Sequence, residues 1–352
     1  MRDAVEVKSF SVVTPGVREL SEMPAWCASQ AGEPPGRAQS IPPPQDISPR
    51  ELRRMARMTR FGLYAADRAC REAGVVNDPS CGLIVGITHA STSLLKEFHD
   101  YWFDHGPQMA SPSAFSNGVT NAPLGAISRH CRLTRGGATI VGTEDCGMQV
   151  LHEAHRAVVD GEYAGCCAGA AEEYSDIVAN AYTRAGWFSP GVPAYLPWAD
   201  TGRAFAPAEG SAFAVLSPCR RNGRRACTFI PVGDPRELNG SVDMVISGAG
   251  GGPQDPFERD ALRAVLDTCD PVPAVLFPKP FFGELFSVGA LVSSAIAWDI
   301  LMNGSAYPSY PAAPGICAAP AGRIDFGAAS RILVISCSRD GRTLMGLFAR
   351  SS

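Results

Sequence analysis

The chain has 352 residues, of which 45% are hydrophobic and 19% charged, so it is long enough to bury a large core in one domain or in two fused halves. Its formal net charge of -4 does not favour nucleic acid as a partner, and no uninterrupted apolar run in the sequence is long enough to span a membrane. The first residues carry acids and no long apolar stretch, which argues against a secretory signal. The 12 cysteines are scattered without a C-x-x-C pair, so we expect reduced, buried thiols and a cytoplasmic location.

The first part of the chain alternates predicted strands and helices. Its apolar runs predict strands over residues 5–13, 81–87, 137–141, 163–170 and 211–216. Ser48, Pro49 and Glu51 place a cap, a first-turn proline and an early acid together, which is typical of a helix start. We therefore predict one helix from there to about Gly74, and a second helix over residues 148–159.

After about residue 218 the alternation begins again. The pattern predicts strands over residues 242–247, 274–277, 332–336 and 344–350, and helices over residues 256–268 and 288–302. Continuous apolar strands between helices are typical of buried sheets in a layered α/β fold. The two series suggest a duplicated architecture, with one half over residues 1–217 and the other over residues 218–352.

A strand, turn and helix near the middle of the first half carry the most specific motif. The strand around Thr139 leads into a turn with Thr143 and Glu144, and the helix that follows ends at Gly161. A further strand then ends in the run Cys167-Ala168-Gly169-Ala170-Ala171-Glu172. This segment resembles the active-site region of β-ketoacyl synthases of the thiolase type, where a TAC-type turn opens a helix and the next strand ends in AGGAE. Without gaps, the resemblance puts Glu144 on the position of the nucleophilic cysteine, and Cys146 falls two residues too late.

Other blocks resemble motifs of the same family and follow in the family's order. The helix with Arg53-Arg54-Met55 and Arg60-Phe61 is similar to RRMDRF, and Gly202-Arg203-Ala204-Phe205 before Ala208-Glu209-Gly210 is similar to RPFD before GEG. The run Lys279-Pro280-Phe281-Phe282-Gly283-Glu284 resembles KSxxGH, and Gly341 retains one glycine of NSFGFGG. The resemblance covers nearly the whole chain. It implies a thiolase-like, duplicated α-β-α-β-α layered fold of the α/β class, with structural roles for Lys279, Glu209 and Gly341.

Active members of this family use one cysteine and two histidines. The cysteine thiolate takes the acyl group at a helix N-terminus, and the histidines assist decarboxylation and stabilise the oxyanion. The resemblance puts Ser247 on the first histidine and Glu284 on the second, so the three positions contain Glu144, Ser247 and Glu284. None of these residues can do the original chemistry at neutral pH. We therefore expect no catalytic residue on this chain, and we expect neither a cofactor nor a metal site.

The family contains a subunit with this loss, the chain-length factor or ketosynthase beta subunit of type II polyketide synthases. The resemblance implies that the chain pairs with an active ketosynthase, shapes the tunnel for the growing acyl chain and meets an acyl carrier protein. Residues 111–117 are similar to small ketosynthase-like proteins of polyene and aryl-polyene systems, whereas aromatic systems usually carry glutamine at the position of Glu144. Two alternatives stay open. One is a self-sufficient acyltransferase or malonyl decarboxylase that uses Cys146, and the other is a binding or scaffold protein.

Several side chains at these positions have two interpretations. Glu144 either caps the helix that follows it or closes the site as a polar plug. Lys279 and Glu284 form either a buried ion pair or an unrelated solvated pair, and burial and the lysine shift the carboxyl pKa in opposite directions. Three aromatic side chains either pack in the core or bound the acyl tunnel: Phe281, Phe282 and Phe286.

Overall fold

The computed structural model describes residues 4–29, 36–38, 43–44, 46–188, 206–219, 224–238, 242–308 and 326–351. Its strands are β1 (Val5–Val13), β2 (Cys81–Ile87), β3 (Gly137–Val141), β4 (Gly165–Glu172), β5 (Gly210–Pro218), β6 (Ala226–Val232), β7 (Met244–Ser247), β8 (Ala274–Leu276), β9 (Arg331–Cys337) and β10 (Thr343–Ser351). Its α-helices are α1 (Met23–Ser29), α2 (Pro49–Arg54), α3 (Arg57–Ala73), α4 (Thr92–His105), α5 (Pro112–Gly118), α6 (Ala122–Cys131), α7 (Cys146–Val159), α8 (Asp176–Arg184), α9 (Asp255–Leu266), α10 (Lys279–Phe282) and α11 (Gly289–Asn303). Short 3-10 helices cover Leu20–Glu22, Pro107–Met109, Pro235–Glu237 and Phe286–Val288.

The strands form a mixed sheet in the order β3-β2-β4-β5-β1-β6-β10-β9-β7-β8. When the second half is numbered from its own first strand, β6, both halves have the order 3-2-4-5-1 from the outer edge inward. In each half the outer three strands are parallel and the fifth strand runs antiparallel to both of its neighbours. This repetition confirms the duplicated α/β architecture. The boundary predicted between residues 217 and 218 falls at the end of β5, and the two domain extents stay a prediction.

Helices α7 and α11 form the middle layer of the fold. Each of them contacts strands of both halves, while α3 and α6 cover the outer face of the first half and α9 covers the outer face of the second. Of the 15 residues of α11, 12 are buried, so the helix has no polar face, as a middle layer requires. The largest core cluster includes residues of both halves. The order of layers is therefore α-β-α-β-α.

A short antiparallel ladder between β1 and β6 joins the two halves. It pairs Val5 with Phe229 and Val7 with Cys227, near the middle of the sheet. The indole N–H of Trp298 in α11 donates to the carbonyl oxygen of Val7 at 3.1 Å, so the middle layer is also fixed to this junction.

The single helix predicted between β1 and β2 is wrong, because the structure has α2 and α3 there. The break lies at Met55 and Ala56, whose ψ angles of 137° and 155° are extended. Apolar side chains keep their helical spacing across the break, so periodicity alone does not reveal it. The break brings Arg57 to the buried carboxylate of Glu209, to which its Nε donates at 2.9 Å.

Several elements were not assigned from the sequence at all: β6, α1, α4, α5, α6, α8 and α10. One described segment, Phe286–Asn303, is long and apolar enough to cross a membrane, although no such run was expected from the sequence. However, 83% of this segment is buried inside the protein, because it contains the middle-layer helix α11. It is therefore a core helix of the fold.

Candidate functional site

The turn between β3 and α7 points two acidic side chains into the protein. The chain leaves the C-terminal end of parallel strand β3 and enters α7 at Cys146, so Glu144 lies beside the helix N-terminus. Asp145 is fully buried, and its carboxylate accepts hydrogen bonds from Thr143 Oγ1 at 3.2 Å and Arg342 Nη2 at 3.0 Å. Arg342 comes from the loop between β9 and β10, so this loop of the second half holds the turn of the first.

The same loop supplies an arginine to Glu144. The Nη2 atom of Arg339 forms an ion pair with Oε1 of Glu144, and the backbone N–H and Nε of Arg339 each donate to Oε2 at 3.3 Å. The side chain of Glu144 is only 7% exposed and that of Arg339 is 24% exposed. The carboxylate of Glu144 is thus directed to a residue 195 positions further along the chain, which favours the polar plug over the helix cap.

Aromatic side chains hold the guanidinium of Arg339 in place. Its Cζ lies 4.9 Å from the ring centroid of Trp187 and 5.3 Å from that of Tyr182, within the range of cation–π attraction. Its Nη2 donates to the hydroxyl of Tyr182 at 2.8 Å, and that hydroxyl shares a 3.0 Å hydrogen bond with Nε2 of His89. Burial raises the pKa of Tyr182 to about 12 although Arg339 opposes the shift, so the hydroxyl stays neutral. The backbone N–H of His89 donates to the buried carboxylate of Glu172 at 3.2 Å.

Ser247 is the last residue of β7 and is fully buried. Its hydroxyl donates to Oε2 of Glu258 at 2.8 Å, and the other carboxylate oxygen of Glu258 accepts the N–H of Cys337 at 2.8 Å. Burial raises the pKa of Glu258 to about 7, even though Lys279 and the Ser247 hydroxyl favour its charged form. Ser247 thus serves as a hydrogen-bond donor to a buried carboxyl group.

Lys279 and Glu284 form a buried ion pair, so the solvated alternative is wrong. Lys279 Nζ lies 2.8 Å from Oε2 of Glu284, and the two side chains are 8% and 3% exposed. Glu284 also accepts hydrogen bonds from Gln254 Nε2 at 3.1 Å and the backbone N–H of Phe286 at 2.8 Å. Burial lowers the pKa of Lys279, but Glu284 and the neighbouring acids Asp255 and Glu258 together hold it above its usual value. The lysine therefore stays charged.

The glycine-rich loop after β7 packs against the side chains of Asp255 and Lys279. The N–H groups of Gly250 and Gly251 donate to the two carboxylate oxygens of Asp255 at 3.0 and 2.8 Å. A Cβ atom at Gly250 would lie 2.3 Å from Cδ of Lys279, so only glycine leaves room for the buried lysine. The loop is therefore a buried, hydrogen-bonded part of the site.

A small cavity marks the position where these groups converge. Its volume is about 20 Å³, which is room for about one water molecule. Its lining includes Glu144, Glu284, Lys279, Gly248 and Phe286. The residues predicted at the nucleophile position and at the second histidine position thus border one cavity. The first histidine position, Ser247, precedes the lining residue Gly248.

Cys146 lies beside this cavity but is not among the residues that line it. Its thiol is fully buried and donates to the carbonyl oxygen of Ile140 at 3.5 Å. Burial, with the nearby carboxylate of Glu172, raises the pKa of Cys146 to about 12. Because the thiolate is the nucleophile, this environment keeps the side chain unreactive at neutral pH.

The remaining predicted residues have structural surroundings. Phe281 and Phe282 are buried in the largest core cluster, whereas Phe286 packs 4.4 Å from the His89 ring and borders the small cavity. Glu209, which precedes β5, accepts the N–H of Tyr174 at 3.0 Å besides its bonds to Arg57. It therefore joins the loop after β4 and the start of α3 to the sheet.

Gly341 has a φ angle of 92°, which favours glycine, and a Cβ there would lie 3.0 Å from the ring of Phe257. The motif of residues 202–205 lies outside the described residues.

Arg339, Arg342 and Tyr182 were not predicted as residues of the site. Arg339 and Arg342 surround Gly341 in the run where the related family has a glycine-rich motif, so two arginines there were the available signal. Tyr182 carried no signal, because it belongs to an unassigned helix and meets the site only through the fold.

Comparisons with known proteins agree with this architecture. Residues 31–221 match the family described as "Beta-ketoacyl synthase, N-terminal domain". The structure is similar to the ishigamide ketosynthase/chain length factor, with a TM-score of 0.84, 15% identity and 100% of both chains covered. It is also similar to a type II polyketide synthase acyl-carrier protein–ketosynthase complex, AntDE:AntF, bound to the hexaketide, with a TM-score of 0.76, 16% identity and 99% of both chains covered. A β-ketoacyl synthase from Burkholderia phymatum STM815 gives a TM-score of 0.78 and 13% identity, with 99% of this chain and 100% of that one covered. No curated protein matches the chain.

Proposed function

Because the chain belongs to the β-ketoacyl synthase family, we propose that it is a non-catalytic chain-length factor of a type II polyketide synthase. In this role it pairs with an active ketosynthase, and the two subunits together bound the tunnel for the growing acyl chain. The names of two similar structures support the proposal, since they include a ketosynthase/chain length factor and a ketosynthase with its acyl-carrier protein.

The observation that carries the proposal is the closed, charge-paired site. A cavity of about 20 Å³ cannot hold an acyl thioester. Its lining includes both members of the Lys279–Glu284 ion pair and Glu144, which is paired with Arg339. Opening it requires breaking buried ion pairs, which costs several kcal/mol each. No described lining residue is a histidine, and burial raises the pKa of the lining thiol of Cys337, so that thiol stays protonated. Neither acyl transfer nor malonyl decarboxylation therefore has its usual groups among the described lining residues.

The unreactive surroundings of Cys146 argue against the alternative of an independent acyltransferase. A nucleophilic cysteine needs a lowered pKa and access to its substrate. Cys146 has a pKa of about 12 and a fully buried side chain. No imidazole is among its hydrogen-bond partners in the described part of the chain, where its Sγ bonds a carbonyl oxygen.

An exposed surface near β3 has the features of a protein–protein interface. In the described residues β3 pairs only with β2, so its outer edge has free backbone groups, and Val141 on it is 61% exposed. Such an uncharged edge is prone to pair with another chain. Helix α4 buries no residue, and large apolar side chains of α4, α5 and the segment between them are exposed: Tyr101, Trp102, Phe103, Met109 and Phe115. We call this set, with Val141, the partner surface, and we assign it to the ketosynthase.

We also propose that this chain contributes side chains to the wall of the acyl tunnel. Phe281, Phe282 and Phe286 are the candidates for its wall, and Phe286 is the one that borders the closed cavity. Replacement of Phe286 by Ala should alter the length of the product made by the heterodimer. An unchanged product spectrum would remove this residue from the tunnel wall.

The test of the proposed function is co-expression with an active ketosynthase of a type II system. The native mass of the purified material should equal a one-to-one heterodimer. In parallel, the chain alone should release no carbon dioxide from a malonyl carrier protein. A homodimer or monomer that ignores the ketosynthase, or carbon dioxide release by the isolated chain, contradicts the proposal.

A further inference from the structure

A second pocket lies on the outer side of the first half, apart from the closed cavity. It has a volume of about 690 Å³ and lies between α2, α3, α5 and α6. Its lining carries four arginines from three helices and the end of α6: Arg54, Arg71, Arg129 and Arg132. This is a concentration of positive charge on a chain whose formal net charge is -4.

One of the four arginines is already neutralised. Arg71 Nε donates to Oδ2 of Asp67 at 2.9 Å, and Nε2 of His130 lies 2.8 Å from Oδ1 of the same carboxylate. The side chain of Asp67 is 6% exposed, so this group of three forms a fixed wall of the pocket. The Asp67 carboxylate orients Arg71 and His130. The net charge of the pocket therefore depends on its other charged residues.

The other three arginines have no such partner. No carboxylate of the described residues lies within 4.0 Å of a guanidinium nitrogen of Arg54, Arg129 or Arg132. The nearby acids offset this charge only in part: Asp46 lies 3.9 Å from Arg71, and the hydrogen bonds of Ser48, with a smaller contribution from Arg129, lower the pKa of Glu51. Four arginines against the three carboxylates of Asp46, Glu51 and Asp67 leave a surplus of one positive charge in the pocket.

The floor of the pocket is apolar. Ile47, Met55 and Val76 are partly buried and pack against the outer core cluster of the first half. An apolar floor with basic groups at the rim fits an amphipathic helix with acidic side chains. A small-molecule site encloses most of its ligand and presents buried polar groups, whereas Arg54, Arg129 and Arg132 are exposed. The geometry thus favours a protein over a small anion.

We propose that this pocket docks the acidic surface of an acyl carrier protein. The inference rests on the proposed function, because that function supplies the carrier as a partner. Helix α5 contributes Ser113 and Asn117 to the pocket and Phe115 to the partner surface, so a docked carrier lies beside the ketosynthase. A docking position on the inactive subunit raises the local concentration of the carrier near the active one.

The test measures binding of a type II acyl carrier protein to the heterodimer by calorimetry at low and at moderate salt. Arg129→Glu combined with Arg132→Glu should weaken binding by about tenfold or more, because like charges then face each other. Arg236→Glu combined with Arg263→Glu is the control in the second half, where both side chains are exposed, and it should change the affinity less than about twofold. The conservative Arg129→Lys and Arg132→Lys pair should retain most of the affinity and its salt dependence.

Several results overturn the proposal. Equal affinities for the glutamate variant and the control place the carrier elsewhere. Binding of pyrophosphate or coenzyme A that is lost in the glutamate variant, with carrier binding unchanged, identifies a small-anion site. The native mass separates these outcomes from failure of the proposed function. If no heterodimer forms, the proposed function fails, but binding of the carrier protein to the isolated chain still tests whether the pocket is a docking site.

Discussion

At the residue scale, two ion pairs occupy the positions predicted for the family's nucleophile and second histidine. Glu144 and Glu284 introduce two carboxylates next to the cavity, and each is matched by a cation, Arg339 or Lys279. A buried carboxylate without a partner is strongly unfavourable, so the two cations are as necessary to the fold as the acids are. The pairing also explains why a single return to cysteine at position 144 is not expected to restore activity, because it leaves Arg339 uncompensated.

Removal of Arg339 should destabilise the protein. Arg339→Met leaves Glu144 buried without its partner, and we expect a loss of roughly 3 kcal/mol in the free energy of unfolding. The double variant with Glu144→Gln should recover most of this loss, because no buried charge remains. Chemical denaturation measures all three proteins. Arg156→Met removes exposed ion pairs and serves as the control, which should change little.

Equal stability of the Arg339→Met variant and the parent would contradict the buried pair. So would a double variant no more stable than the single one.

Cys146 should resist alkylation. With a pKa of about 12, only about one thiol in 10,000 is ionised at pH 8, and the side chain is fully buried. Cys219 is a free and exposed cysteine, so it provides the internal control. After brief treatment of the folded protein with iodoacetamide, peptide mass mapping should find Cys219 modified and Cys146 unmodified. Comparable labelling of the two thiols, or an acyl adduct that disappears in Cys146→Ala, would revive the independent-enzyme alternative.

Glu258 should make stability depend on pH. Its pKa rises from 4.5 to about 7 on folding, so the folded state binds the proton more tightly than the unfolded state. The resulting stabilisation is complete below pH 4.5 and is lost as the pH rises to about 7, a change on the order of 3 kcal/mol. Glu258→Gln cannot titrate and should flatten this part of the pH profile. The free energy of unfolding at several pH values measures it.

The exposed acid Glu237 supplies the control for that experiment. Glu237→Gln should keep the slope of the parent protein between pH 4.5 and 7. A Glu258→Gln profile parallel to the parent would show that the buried carboxyl group does not titrate in this range.

Several residues of the site could be predicted from the sequence, but their hydrogen bonds and ion pairs could not. The spacing of motifs located Glu144 and Glu284, which do border one cavity. It could not find Arg339 or Tyr182, because their contacts join residues 157 and 195 positions apart. Such contacts depend on the arrangement of the two halves, which local patterns do not contain.

At the element scale, the most unusual feature is a helix that covers no core. Helix α4 has no buried residue, and Phe103 on it is 79% exposed. Exposed aromatic side chains beside an unpaired edge strand are characteristic of an interaction site. The same property explains why α4 was not predicted, since a helix with aromatic side chains on several faces has no clear apolar stripe. The break between α2 and α3 was missed for the opposite reason, as the stripe continues across it.

A charge on α4 should weaken the heterodimer. Phe103→Glu adds an acid to the partner surface, and we expect the affinity for the ketosynthase to fall by about tenfold or more. Val272→Glu is the control, because Val272 is 69% exposed but lies between α9 and β8 at the other end of the sheet. Neither variant should change the melting temperature of the isolated chain appreciably, since both side chains are exposed. Equal affinities of the two variants would remove α4 from the interface.

At the scale of the whole molecule, the two halves repeat one topology and share one core. Both have the strand order 3-2-4-5-1, and α7 and α11 pack between them. The alternation of elements in the sequence suggested the duplication, but the prediction rested mainly on the family resemblance. The counterpart of β1, strand β6, was missed because Thr228 and Pro231 interrupt its short apolar run. The closed site lies where loops of both halves meet, so its state depends on the whole fold.

The central claim is that the chain supports chain growth without performing the chemistry. The most direct test is product formation by the reconstituted heterodimer with malonyl carrier protein, with one cysteine replaced at a time. Cys146→Ala in this chain should leave the rate and the product length unchanged, whereas Ala at the nucleophilic cysteine of the ketosynthase should abolish the product. Loss of product in Cys146→Ala, or product formed after the ketosynthase has lost its nucleophile, would contradict the account.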